Sequence, residues 1–292
     1  MAREIGIAAV AARSAGVIED DLAAIERLVV GARGRGADLV VLPECALGGY
    51  LRDSGVGEGP PDLPPAIDPD GPEIARLVRA AGETVVCLGY TEPGGPHGPW
   101  STAVCLSGDG VLGRHRKVHL PPAERFAYSA GDGFAAFDTP VGRLGMLLCY
   151  DKLFPEAART LALDGADVIT SMAAWSADRR RPAADVAADR QTRHFDLMDA
   201  ARAVENQVVW VSANQSGPWG RLRFLGRAKV VDPDGNALAE TLPGAGQTAL
   251  ARIDPVLAVA DSRVAINHLG DRRPAAYGGP RRVAGQLSAL DG

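Results

Sequence analysis

No apolar stretch in this chain of 292 residues approaches the roughly 20 residues that a membrane span requires. The first residues, Met1-Ala2-Arg3-Glu4, lead directly into an apolar strand pattern, without the long apolar core and cleavage site of a secretory leader. Both absences point to the cytoplasm. There is no basic stripe to neutralise phosphates. Arg179-Arg180-Arg181, Arg272-Arg273 and Arg281-Arg282 are short and interrupted, and the net charge is −5. Nucleic acid is therefore not an expected partner, and neither is a membrane. Cys45, Cys87, Cys105 and Cys149 form no C-x-x-C pair. His97, His115, His119, His194 and His268 form no H-E-x-x-H cluster, so no metal site is expected. In a reducing compartment the four thiols stay free. The chain also lacks a G-x-S-x-G elbow and a G-x-G-x-x-G following a strand. Their absence argues against a serine hydrolase and a dinucleotide enzyme.

What is present is an alternation of short apolar runs with helical patterns. Strands are predicted at 5–10, 38–42, 84–89, 101–107 and 111–115. Further strands are expected at 134–138, 143–148, 167–171, 208–212, 229–231, 238–239 and 247–253. Helices are predicted at 18–30, 73–81, 155–163 and 183–206. Gly108-Asp109-Gly110 and Asp232-Pro233-Asp234-Gly235-Asn236 read as hairpin turns. A loop rich in Gly, Pro and Asp runs from 48 to 72, long enough to serve as a lid or binding loop. Strands mixed with helices at both ends and hairpins between them predict an α/β layered fold with mixed sheets. No internal repeat is visible. One domain is expected over 1–266. The Arg-, Pro- and Gly-rich segment 267–292 is expected to form an extended arm, lying on the surface or on a partner.

Three reactive side chains each follow an apolar segment. Glu44 stands in Leu42-Pro43-Glu44-Cys45, and Lys117 in Arg114-His115-Arg116-Lys117-Val118-His119-Leu120. Cys149 ends the run Leu144-Gly145-Met146-Leu147-Leu148 and is followed by Tyr150-Asp151-Lys152-Leu153-Phe154-Pro155-Glu156. Free Cys is among the most buried residue types, so its position alone also fits a core thiol. Glu44 and Lys117 taken singly also fit a cap and a solvated strand edge. Together they have a common purpose, because strand ends of open α/β sheets converge on ligands. A free thiol titrates near 8.5. A nearby ammonium is expected to lower that value and make the thiolate available. A carboxylate accepts the thiol proton and later activates water. The Lys117 ammonium and the Tyr150 backbone N–H stabilise an oxyanion. This set suffices for acyl transfer through a thioester.

Leu-Pro-Glu, Arg-Lys-Val-His-Leu and Cys-Tyr-Asp-Lys-Leu-Phe-Pro-Glu resemble the three signatures of the carbon–nitrogen hydrolases, the nitrilase superfamily. The likeness runs from about Ile5 to Ile253. Ala201-Arg202-Ala203-Val204-Glu205-Asn206 and Asn214 are similar to later parts of the same pattern. The resemblance implies a four-layer α-β-β-α sandwich without cofactor. It implies Glu44 as general base, Lys117 as oxyanion and thiolate stabiliser, and Cys149 as nucleophile. It also implies that Glu124 is a second active-site glutamate positioning substrate and Lys117; a loop ion pair with Arg125 is the alternative. Trp175 falls where the family lines its pocket, and Tyr50 is expected at the pocket or its lid. His119 and His194 read as structural. A homodimer or higher homo-oligomer is implied, with the C-terminal arm at the interface.

Cys149-Tyr150-Asp151 resembles the amidase and carbamoylase branches; true nitrilases usually read Cys-Trp-Glu. Leu153 stands where many of those relatives carry an Arg, which puts a carboxylate-binding role at that position in doubt. The expected substrate is a small primary amide or a ureido (N-carbamoyl) compound, hydrolysed with release of ammonia. A nitrilase acting on a nitrile is the alternative within enzymes. A non-catalytic binding or scaffold protein that kept the fold is the alternative outside them.

Overall fold

Successive side chains on a strand point to opposite faces. In β1 (Ile5–Val10), Ile5, Ile7 and Ala9 enter one apolar cluster, while Ala8 and Val10 enter another. A strand that is apolar on both faces must be covered on both, and that requirement generates layers. A computed structural model describes residues 3–51, 62–244 and 246–277. From β1 the chain runs through α1 (Ile18–Gly34), β2 (Leu39–Val41), α2 (Pro72–Ala81), β3 (Val85–Glu92), β4 (Trp100–Ser107) and β5 (Gly110–Arg116). The second half comprises β6 (Phe137–Thr139), β7 (Gly142–Leu148), α3 (Pro155–Leu163), β8 (Val168–Ala173), α4 (Arg190–Asn206) and β9 (Val209–Asn214). It continues through a hairpin of β10 (Ser216–Trp219) and β11 (Leu222–Leu225), then β12 (Lys229–Val231), β13 (Ala237–Glu240), β14 (Thr248–Ile253) and α5 (Pro255–Ala265).

Two six-stranded sheets result, ordered β14-β1-β2-β3-β4-β5 and β6-β7-β8-β9-β12-β13. Across each sheet the pairings run antiparallel, parallel, parallel, antiparallel, antiparallel. The halves thus share one topological plan, β1-α1-β2-α2-β3 matching β7-α3-β8-α4-β9, although no repeat is visible in the sequence. A plan fixed by strand period and connection order survives complete exchange of residue identities. The inner faces pack on each other through residues such as Ile7, Val41 and Cys87 from one sheet and Met146, Val168 and Val211 from the other. The outer faces are covered by α1 and α2 on one side and by α3 and α4 on the other. The architecture is a four-layer α-β-β-α sandwich.

Local signals explain most element boundaries. Pro155 opens α3, where a missing N–H costs nothing in the first turn. Helix α4 starts at Arg190, seven residues later than the pattern predicts. The reason is Asp189, whose carboxylate caps α4 at Gln191 N–H and also accepts the N–H groups of Asp178 and Ala183. The carboxylate fixes a non-helical loop before the helix begins. The β10–β11 hairpin and α5 are further differences from the sequence reading. The signal for α5 is Asp254-Pro255, a capping Asp before a first-turn Pro. Of the expected C-terminal arm, 267–277 holds a short 3-10 turn at Pro274–Ala276, and 278–292 lies outside the described residues.

One contact decides how the loop after β2 lies. A Cβ on Gly89 of β3 would stand 2.7 Å from the backbone N of Cys45 and 2.8 Å from Cα of Glu44. Both neighbours are backbone and cannot rotate away. Gly89→Ala is therefore expected to destabilise the fold by about 1–3 kcal/mol through overpacking. Urea denaturation checks this, and an unchanged midpoint would show that the loop yields freely.

Candidate active site

The strand order of the first sheet carries three polar side chains toward one point. Glu44 follows β2, crosses over β3 at Gly89, and reaches past Ser101 of β4 to Lys117, which continues β5. Neighbouring strands lie about 4.8 Å apart, so an extended Glu and an extended Lys span the gap between β2 and β5. Lys117 stays in register with β4 through its own N–H, donated to the Ser101 carbonyl at 2.9 Å.

Lys117 is fully buried between two carboxylates. Its Nζ donates to Glu44 Oε1 at 2.8 Å and to Glu124 Oε1 and Oε2 at 2.9 and 2.8 Å. Glu124 lies on the segment after Lys117, where its Oε1 also accepts the Tyr50 hydroxyl at 2.6 Å. Arg125 turns away and donates Nε to the Leu120 carbonyl. Glu44 completes its shell with Ser101 Oγ on Oε1 at 3.2 Å and the Ala174 N–H on Oε2 at 2.9 Å. Burial works against the Lys117 ammonium, but the charges of Glu124 and Glu44 overcome it and hold the amine well above its ordinary pKa. For Glu124, burial is the larger influence. It raises the carboxyl despite Lys117, and Glu44 adds to the rise. At an effective dielectric of about 20, each charge contact near 2.8 Å is worth about 6 kcal/mol. An ion buried without a partner forfeits that and still carries a desolvation penalty of several kcal/mol.

Cys149 arrives from the second sheet. It follows β7 directly, begins a short 3-10 turn (Cys149–Leu153), and holds a left-handed backbone with φ of 45°. A non-glycine residue persists there only when its surroundings enforce it, and such positions gather at functional sites. Leu148 pairs with Met172 in the parallel β7–β8 register, so the chain just past β8 faces the thiol. The Ala174 N–H that serves Glu44 Oε2 comes from this segment. The sequence leads one to expect a depressed thiol pKa; the site does the reverse. Burial and then the Glu44 charge push the Cys149 thiol well up, and Lys117 only partly offsets them. The ammonium is already neutralised by two carboxylates. Cys149 keeps a partly exposed surface, whereas Cys45, Cys87 and Cys105 are buried.

The remaining sequence-selected residues take distinct places. Tyr50 is nearly buried and acts on Glu124 through its hydroxyl. Trp175 is half-buried and packs edge-on to Phe195, with Cys149 in the same apolar cluster. Its Nε1 donates to Gln191, and Asn214 grips its backbone through both N–H and carbonyl. The Tyr150 ring packs edge-on to Phe154 and lines a cavity of about 380 Å³ with Val118, His119, Leu120, Arg125 and Ala130. His119 bonds Asp151. Several site residues were not selected from sequence: Ser101, Ala174, Asp151 and Gln215. The Gln215 amide donates to the carbonyls of Glu44 and Cys45 and so holds the turn that aims Glu44. Another is Lys152, fully buried, with Nζ on Asp199 Oδ1 at 2.7 Å and 3.2 Å from the centre of the Phe195 ring. Burial lowers its pKa, with Asp199 opposing. Among the described residues, no group of three or more His, Cys, Asp or Glu is placed to hold a metal ion. No helix among them is long and apolar enough to cross a membrane.

Comparison with known proteins gives the same direction. The family model described as carbon-nitrogen hydrolase matches residues 6–261. A nitrilase of Pyrococcus abyssi is 34% identical over 249 residues, covering 84% of this chain and 87% of its own. An N-carbamoylputrescine amidase of Arabidopsis thaliana is 26% identical over 297 residues, covering 94% of each. Among solved structures, an amidase from Nesterenkonia sp. superposes with a TM-score of 0.74 at 25% identity, covering 94% of each chain. A match this long, on a sandwich of the same build, places the chain in the carbon–nitrogen hydrolase family of the nitrilase superfamily.

Proposed function

We propose that the protein hydrolyses a small primary amide or N-carbamoyl compound through a thioester on Cys149. The observation that carries this reading is the buried Lys117 ammonium bonded to Glu44, whose other oxygen takes the Ala174 N–H from the strand end beside the Cys149 turn. Because the resting thiol is protonated, the base acts during attack rather than before it. Glu44 takes the S–H proton as the sulfur bonds to the substrate carbonyl carbon. Charge develops on the carbonyl oxygen and is met by Lys117 and the Tyr150 N–H. Glu44 returns the proton to nitrogen, the C–N bond breaks and ammonia leaves. Glu44 then deprotonates a water that attacks the thioester. The acid departs and the sulfur regains its proton. Glu124, tied to Tyr50, keeps Lys117 charged and aimed through both steps.

The apolar surroundings of Cys149, with Trp175, Phe195 and Leu225 in its cluster, favour a short uncharged acyl group. Leu153, at the position where related enzymes carry Arg, is exposed, so it offers no receptor for an acyl carboxylate. The Nesterenkonia amidase has been solved as a mutant in complex with butyramide, an amide of this size class. The similar P. abyssi protein is named a nitrilase, which keeps nitrile hydrolysis as the second reading. Exposed Leu163 on α3 and Leu197 and Val204 on α4 support pairing of two copies through the helices that follow the nucleophile.

Cys149→Ala is expected to abolish turnover and leave the fold intact, measured by product release and circular dichroism. Full activity in that variant would reject the thioester route. Lys117→Ala is expected to raise the barrier by roughly 3–4 kcal/mol at little change in KM, as loss of an oxyanion donor does. A pure KM effect would make Lys117 a binding residue instead. A raised thiol pKa means that the neutral form prevails near neutrality. The ultraviolet thiolate absorbance attributable to Cys149, taken as the difference from Cys149→Ala, should emerge only in alkaline solution. Its presence at neutral pH would indicate a stored ion pair. Ammonia release from amides and carbamoyl amines, without turnover of the matching nitriles, would separate the two substrate readings.

A further inference from the structure

Asp151 is fully buried two residues beyond the nucleophile, and its two oxygens divide four contacts evenly. Oδ2 accepts the Leu148 N–H at 3.2 Å and lies 3.0 Å from His115 Nε2. Oδ1 accepts the His119 N–H at 2.8 Å and lies 2.9 Å from His119 Nδ1. The first contact closes the turn around Cys149, since residues 148 and 151 bracket it. The other three reach a different sheet. His115 and His119 stand two residues before and two after Lys117; the strand period of two sends His115 and Lys117 to one side, and the bend after β5 (Gly110–Arg116) brings His119 to Asp151. His119 also stacks on Phe154, which follows the nucleophile turn, with ring centres 3.6 Å apart and planes 9° apart. Burial opposes the Asp151 charge, but its donors, His115 foremost, hold the carboxyl below its usual range.

We propose that Asp151 is a positioning residue that sets the Lys117 strand against the Cys149 turn through His115 and His119. The inference rests on the reading of Cys149 as nucleophile. The contacts require a carboxylate, for a reason of donor count. Imidazoles can exchange tautomers, but backbone N–H groups cannot become acceptors. Each Asp151 oxygen faces one such N–H, Leu148 on one side and His119 on the other. An amide at this position has a single oxygen, so either orientation sets its NH2 against a backbone donor. Asp151→Asn, although isosteric, therefore loosens either the nucleophile turn or the Lys117 segment.

Asp151→Asn, His119→Ala and His119→Asn test this through two readouts: the rate at which iodoacetamide alkylates Cys149, and the division of any turnover loss between kcat and KM. The Cys149→Ala variant supplies the alkylation background. A misplacement of about 1 Å is worth about 100-fold in rate. Asp151→Asn is expected to slow alkylation and kcat by about that factor with KM little changed. His119→Ala should lose about tenfold, and His119→Asn, whose Nδ2 stands where the imidazole Nδ1 does, should restore the rate to within about threefold of wild type. Wild-type alkylation and kcat in Asp151→Asn, with only a lower melting temperature, would overturn the proposal. If Asp151→Asn does not fold, equal rates in the two His119 variants would overturn it in the same way. A wild-type protein that is alkylated at Cys149 but turns over no amide, carbamoyl amine or nitrile would defeat the hydrolase reading alone, and the alkylation comparison would still decide the role of Asp151.

Discussion

A buried ammonium between two carboxylates is the constraint from which the rest of the site follows. Lys117 can remain charged at zero exposure only because Glu44 and Glu124 sit within hydrogen-bond reach. Each carboxylate in turn needs its own donors. Glu124 takes the Tyr50 hydroxyl, and Glu44 takes Ser101 and the Ala174 N–H. Removing any one partner leaves a buried group unsatisfied, so the cluster behaves as a unit rather than as a sum of pairs.

That charge balance has a chemical consequence. Burial of the Cys149 sulfur and the Glu44 charge outweigh an ammonium already paired with two carboxylates, and the thiol pKa is raised. A protonated sulfur reacts more slowly with an added electrophile than a thiolate would. In the proposed reaction Glu44 is the proton carrier in every step, and Lys117 responds to charge that develops on the substrate. The fold serves this division by bringing the carboxylates and the amine from one sheet and the sulfur from the other. The Ala174 N–H and the three contacts of Asp151 with His115 and His119 are the seams between them.

Much of this was legible in the sequence, and the boundary is a physical one. Glu44, Lys117 and Cys149 stand out because each polar side chain directly follows an apolar run, and a local pattern suffices to see that. Strand periods likewise give the layer plan: β1 and α3 occupy the predicted residues. What eludes the sequence is whatever depends on register between distant segments. Ser101 meets Glu44 only through the β2-β3-β4 order, and Ala174 comes beside the Cys149 turn only through the parallel β7–β8 register. Gln215 acts on a turn 171 residues away. The direction of the thiol pKa differs from the sequence expectation because burial of the sulfur and the nearby Glu44 charge outweigh Lys117, and neither the burial nor that proximity is a local pattern.

The central claim is a covalent acyl group on one sulfur, and mass spectrometry of acid-quenched protein tests it most directly. Protein quenched during turnover of a small primary amide should carry the acyl mass on the peptide containing Cys149, and the adduct should disappear as substrate is exhausted. Acid product released at full rate with no adduct on that peptide, or with the adduct on Cys45, would contradict the account.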